Sequence, residues 1–426
     1  MNVFRKTVLL TMALMLLYMS AKAQSVVSTI PLGHTPTSLA VNPKTNLVYA
    51  TDRMGYKISV IDGATNVLKT TIPLGFQPEV VSVNPTTNRI YVSGSYFDGL
   101  VVLDGATNAV QARIPLAPWF TEIEINSVTN QVYVGNPDNR TITVIDGNVG
   151  SPNENTVVAI IPLPIYGGGD IAVNEATNRV YVGTSGWDFE TNQYFPITVI
   201  DGSTNTISAR ISFEEVGSGV AVNPKTNTVY VTGPLSYRLW VIDANTNSVS
   251  ASIDLDEHVN KVAVNPTTNR IHMTNGFGGS LVIIDGATNT YLNRMWLGTY
   301  EPVPIYIAVN PKTSYVYTGN IGWNPSFGGQ SISVIDDPPS PAEQIQALID
   351  LVKTYNLAHG IANSLDAKLQ NALGALDSVN NGNSSTACNK MASFINEVES
   401  HQQLSTVQAT ELINAANRIR RTLGCG

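Results

Sequence analysis

Cysteine is nearly missing from this 426-residue chain: there are two, Cys388 and Cys425. Two thiols cannot build a four-ligand zinc site, and no C-x-x-C-H haem attachment is present. Histidine is scarce too, with five in all. There is no G-x-S-x-G elbow and no Cys–His arrangement, so the common nucleophile signatures are wanting. Charged residues make up only 13% of the chain, the formal net charge is −8, and no Lys/Arg cluster appears in the repeats. A surface of that sign repels phosphate backbones and anionic headgroups, which argues against nucleic acid as a partner. Beyond residue 23 no stretch holds 18 consecutive apolar residues, so no integral membrane segment is expected there.

The first 23 residues have the character of a targeting segment. Arg5 and Lys6 form a basic start, Val8 to Met19 an apolar run too short to span a bilayer, and Ala21-Lys22-Ala23 an A-x-A cleavage site. Cleavage after Ala23 removes Arg5, Lys6 and Lys22 and takes the net charge from −8 to −11. A secreted, periplasmic or cell-surface location is expected, and in such an oxidising compartment the two cysteines pair.

What is present in abundance is one repeated phrase. It opens as Val-Asn-Pro-Lys-Thr-Asn, continues into Tyr-Val-x-x and reaches Val-Ile-Asp-Gly-Ala-Thr-Asn some twenty residues later. Its first Asn falls at Asn42, Asn84, Asn126, Asn174, Asn223, Asn265 and Asn310, and the later Asp at Asp62, Asp104, Asp146, Asp201, Asp243, Asp285 and Asp336. The spacings of 42 to 49 residues, each holding several short strands, predict one propeller blade per repeat. In each unit the Asn-Pro and Asp-Gly segments read as turns, with Asn and Asp side chains bonding their own backbone. The seventh repeat ends at Asp336-Asp337-Pro338-Pro339 without a fourth strand, and residues 25–32 resemble that missing strand. The expectation is a seven-bladed, all-β ring over 24–337, closed by residues 25–32.

After a Pro-rich linker at 338–341 the pattern turns helical over 342–426. Ser340-Pro341-Ala342-Glu343 is a capping box. Ile345, Leu348, Ile349 and Val352 form a first apolar stripe. Leu365, Leu369, Leu373 and Leu376 form a second, and Met391, Phe394, Ile395 and Val398 a third. Val407, Leu412, Ile419 and Leu423 are read as a fourth, capped by Ser405 and Gln408. A four-helix module of this size needs a staple, and a Cys388–Cys425 disulfide joins the start of the third helix to the end of the fourth.

The repeat core stands here as YATD, YVSG, YVGN, YVGT, YVTG, HMTN and YTGN. It resembles the YVTN family of β-propeller repeats, the group that includes surface-layer proteins and YncE-type periplasmic propellers. Repeats three and four depart by Ser127 and Glu175 in place of the turn Pro, and repeat six by His272 in place of Tyr. The helical segment is similar to FIMAH-type modules. The resemblance implies an exported interaction scaffold and no common catalytic set; from the YncE-type members it also suggests nucleic-acid binding, which the charge opposes.

A ligand is expected on the face opposite the uniform turns, where blade connections and loops vary and carry aromatics. The residues singled out are His34, Phe76, Trp119, Phe120, Trp187, His258, Tyr300 and Trp323. Packing within their own loops is the competing role for each. Glu79, Glu122, Asp170, Glu214, Glu215, Asp256, Glu257 and Glu301 lie towards the same face. Such carboxylates suit a calcium ion or a lactonase-like reaction in the central channel, although no ligand spacing selects a site and no cofactor is required. The leading expectation is a non-enzymatic binding protein for a glycan or protein, with a small-molecule lactonase or lyase as the alternative.

Overall fold

The computed structural model describes residues 24–425, apart from 96–98, 117–121, 165–168, 185–186, 189–192, 216, 218, 234–236, 277, 298–302, 323–329, 378–383 and 402. The chain divides into two compact units, one over Gln24–Asp337 and one following from Pro338.

The first unit is a seven-bladed β-propeller of four-stranded antiparallel sheets. Blade one sets the pattern with Pro36–Asn42, Leu47–Asp52, Lys57–Asp62 and Val67–Pro73 from channel to rim. The second and third strands are almost fully buried because both faces pack on neighbouring blades, whereas the rim strand is mostly exposed. The repeat tyrosines Tyr49, Tyr91, Tyr133, Tyr181, Tyr230 and Tyr317 are all buried in this packing. Blade seven consists of Val303–Asn310, Tyr315–Ile321 and Ser331–Asp336, and its rim strand is Ser25–Pro31 from the other end of the unit. Ile30 pairs with Ile332 and Thr29 with Ser333 in that closure. A short ribbon, Trp187–Asp188 with Gln193–Tyr194, rises from blade four outside the ring sheets.

The turn asparagines do two jobs. In blade one, Asn42 Oδ1 accepts from the backbone N–H groups of Lys44 and Thr45, and its Nδ2 donates to Asn88 Oδ1 of blade two at 2.8 Å. The same donation runs from Asn84 to Asn130, Asn126 to Asn178, Asn174 to Asn227 and Asn223 to Asn269. Asn310 to Asn46 completes the circuit between blades seven and one. The accepting asparagines all have positive φ, near 50–60°, which Asn tolerates better than other non-glycine residues. One link differs: blade seven carries Ser314 at the accepting position, and Asn265 donates instead to Asp337 Oδ2 at 2.8 Å.

Asp337 is buried and also receives Thr268 Oγ1 at 2.8 Å, Arg270 Nη1 at 2.7 Å and a contact from His272 Nε2 at 3.0 Å. His272 therefore replaces Tyr where a carboxylate has entered the blade. Burial by itself raises the Asp337 carboxyl, but His272 and Arg270 outweigh it and hold the group well below the usual aspartate range.

The second unit holds α1 (Pro341–Thr354), α2 (His359–Asp377), α3 (Ser384–Ser400) and α4 (Thr406–Thr422). Both capping boxes form, Ser340 with Glu343 and Ser405 with Gln408. Its core joins Ile345, Leu348, Ile349, Leu365, Leu369, Met391, Phe394, Leu412 and Ile419. Val407 is the exception to the expected fourth stripe, being 76% exposed. It precedes Leu412 by five residues, which at 100° per residue turns it well away from the Leu412–Ile419 face. Cys388 and Cys425 are disulfide-bonded, with Cα atoms 5.7 Å apart.

Candidate functional site

Seven inner strands surround a central channel with a cavity of about 840 Å³. Each inner strand starts at the blade-connecting side and ends at the Asn turn, so alternate residues step down the channel wall. Two residues before the turn Asn, six blades present Ala40, Ser82, Ala172, Ala221, Ala263 and Ala308. Blade three presents Glu124 there. Two residues nearer the mouth stand Glu122, Asp170, Lys261 and Tyr306, joined by Glu79 and Arg53. The β-bulge between Pro78 and Val80 shifts the alternation in blade two: Val80 packs between blades, and Glu79 lines the channel.

The charges at the mouth are paired across blades. Arg53 Nε lies 2.8 Å from Glu79 Oε1. Lys261 Nζ bonds Asp170 Oδ1 and stands 3.6 Å from Glu122 Oε2. Burial opposes the Lys261 charge, yet Asp170 and Glu122 together hold its pKa above that of a free lysine. Glu122 is pushed up to about 7, chiefly by burial and further by Asp170, against the pull of Lys261. The Glu124 side chain has no hydrogen bond or ion pair to the described residues, and its carboxyl is raised well above the ordinary range. Burial is the main cause, followed by the fields of Glu122, Glu175 and Asp170. Among the described residues no three His, Cys, Asp or Glu side chains converge as a metal-ligand set; the ammonium of Lys261 lies between Glu122 and Asp170.

The residues expected to bind a ligand are dispersed. Trp119, Phe120, Tyr300 and Trp323 lie outside the described residues, as does Glu301, and only the backbone of Trp187 is described. Phe76 is buried between blades one and two, against Gly94, where a Cβ would come within 2.6 Å of its ring. It thus packs the core instead of facing solvent. His34 is also buried, with Nε2 3.0 Å from Ser59 Oγ and 3.8 Å from Asp52 Oδ2. In a catalytic triad the carboxylate holds the opposite ring nitrogen; here both contacts fall on one nitrogen and Ser59 is buried, so this trio is structural. Burial is the main reason the His34 pKa is lowered, with Asp52 opposing it. His258 packs on Tyr237, their ring centroids 4.0 Å apart.

Of the expected carboxylates, Glu79, Glu122 and Asp170 converge on the channel. Glu257 is instead buried against Arg294, Ser280 and Asn275, and Glu215 accepts from Trp240 Nε1 at 3.4 Å. Glu214 and Asp256 are exposed. Arg53, Glu124, Lys261 and Tyr306 are channel residues that reading single repeats overlooks. Superimposing the seven inner strands in sequence reveals Glu124, because its position is Ala or Ser in every other blade.

No family model matches the sequence, and no curated protein is similar to it. Among solved structures, a chain of hydrazine synthase from Kuenenia stuttgartiensis is similar over 71% of this chain and 96% of that one, with a TM-score of 0.59 and 15% identity. At that identity the likeness is one of fold: this chain shares a β-propeller architecture with a protein whose sequence it scarcely resembles.

Proposed function

We propose that this is an exported binding protein of the YVTN type that captures its ligand on the variable face, over the mouth of the central channel. The observation that carries the reading is the channel itself. A cavity of this volume is in the range of small-molecule sites. It is ringed by cross-blade pairs Arg53–Glu79 and Lys261–Asp170, and it opens among connections of unequal length. The opposite face repeats one turn seven times and offers little from which to build specificity. A glycan or a protein segment fits the variable face, the aromatic loops supplying contact area and the channel a polar anchor. The helical unit, similar to FIMAH-type modules, serves as a docking or spacing element. Export is supported by the targeting character of residues 1–23 and by the disulfide.

The experiment is a glycan array and a surface-protein pull-down with the mature chain, repeated with Trp119, Trp187 and Trp323 all changed to Ala. A specific capture lost in the triple variant supports the assignment; unchanged capture in that variant refutes the face. Detection of a mature N-terminus other than Gln24 would overturn the assigned processing site.

One observation favours a second reading. Glu122, pushed up to about 7 beside Asp170 and Lys261, has the properties of an acid–base group working near neutral pH. That reading calls for turnover of a lactone or ester that disappears in Glu122→Gln.

A further inference from the structure

The channel has a chemical preference that its dimensions alone do not express. Its wall at mid-depth is made of small side chains, five Ala methyls and the Ser82 hydroxyl in one ring, flanked by the half-buried lining valines Val41, Val222 and Val309. Into this wall a single carboxyl projects, that of Glu124. It is enclosed by the ring of inner strands, and what exposure it has is to the lumen. The fields that reach it come from Glu122, Asp170 and Glu175, all carboxylates. Of the two cations near the mouth, Lys261 is held by Asp170 and Glu122, and Arg53 by Glu79. Glu124 is thus a half-buried acid facing a cavity far larger than a water molecule, with no counter-charge among the described residues. Withdrawing a carboxylate from bulk water in this way disfavours its charged form unless a cation meets it.

A bare metal ion does not meet the need, since no three side chains among the described residues form a ligand set. An organic cation does: its charge is matched by one carboxyl, and its hydrocarbon part lies against methyl groups. Resting on the channel reading above, we propose that the channel binds a linear aliphatic amine as its ammonium ion, with the nitrogen at Glu124 and the alkyl chain along the Ala and Val wall. Binding is coupled to proton release: the Glu124 acid proton passes to buffer as the ammonium arrives, so charge within the channel is conserved. Tyr306, Glu79 and Arg53 face the same lumen and Glu175 lies nearby; Glu122, pushed up to about 7, also contributes to the proton count.

The test is calorimetric titration of the full chain with butylamine and with putrescine at pH 7, in phosphate and in HEPES, whose ionisation heats differ. Saturable binding with net proton release is expected, together with affinity that strengthens as pH is raised from 6 to 8. Glu124→Gln should bind at least tenfold more weakly and release fewer protons than wild type, and Glu124→Ala serves equally if the Gln variant fails to fold. Absence of saturable binding to the folded wild type overturns the inference, as does a Glu124→Gln protein with undiminished affinity and proton release. If butanol or butyrate binds in the channel and the amines do not, the cation preference is wrong and the binding-protein reading stands. Capture on the variable face that survives when amines fail has the same meaning.

Discussion

At the scale of single residues, Asn and Asp divide the turns by what each can donate. The Asp-Gly turns need only an acceptor: Asp62 Oδ1 takes the N–H groups of Ala64 and Thr65, and Asp104 those of Ala106 and Thr107. The Asn-Pro turns need an acceptor and a donor, because Nδ2 must reach the next blade. Asn84→Asp keeps the turn and removes the donor, leaving two oxygens facing each other at a buried site. A loss of about 1–3 kcal/mol is expected in chemical denaturation, whereas Asp62→Asn should leave the midpoint nearly unchanged. The turn role of these residues was legible in one repeat, since it involves neighbours two and three positions away. The inter-blade bond was not, because its partner lies 46 to 53 residues on in the continuous series. The same holds for the departures at His272 and Ser314, which look unrelated until Asp337 is placed between them.

Asp337 also sets an acid limit. Its folded carboxyl titrates below the unfolded one, so the folded state holds fewer protons between the two values. The stability it contributes is complete above about pH 4 and is lost progressively as pH falls below that. Asp337→Asn should destabilise the propeller by about 3 kcal/mol at pH 7, since it removes the buried carboxylate that pairs with Arg270 and His272. It should also flatten the dependence of stability on pH below 4, as followed by denaturant titration. Glu124 has the opposite sign. Its raised carboxyl binds a proton more tightly in the folded state, so stability falls as pH climbs from the ordinary glutamate range towards the folded value. Glu124→Gln should accordingly melt higher than wild type at pH 8.

At the scale of elements, the helical unit was readable from its caps and three of its four stripes. Ser340–Glu343 and Ser405–Gln408 mark α1 and α4 by local hydrogen bonds, which sequence spacing specifies. Val407 misled because a stripe of widely spaced apolar residues drifts off a 3.6-residue period. The disulfide closes a separation of 37 residues across α3 and α4, worth about 4 kcal/mol in a chain-entropy account. Because the two units have separate cores, Cys388→Ser with Cys425→Ser should lower the helical transition in calorimetry and leave the propeller transition in place. A shift of both transitions by equal amounts would contradict independent folding.

At the scale of the whole molecule, the ring was legible because a repeat states its architecture seven times over, while the channel was not, because it is built from one or two residues of each repeat. Glu79, Glu122 and Asp170 were recognised as acidic residues near one face, but their partners Arg53 and Lys261 come from other blades. The seam is where the ring is most vulnerable. Removing residues 24–32 leaves Ser331–Asp336 as an open edge. A truncated chain should then elute as larger species than the intact chain in size-exclusion chromatography, and a synthetic peptide of residues 24–32 should restore the intact chain's elution.

That seam also imposes a timetable. Ser25–Pro31 is the first strand of the propeller to be made, and its partner Ser331–Asp336 is the last. At about 5–20 residues per second, the opening strand waits on the order of tens of seconds with its apolar side uncovered. Under the export proposed above, a pathway that kept the chain unfolded until its transfer was finished would spare it that interval, because folding would begin with both ends of the ring available.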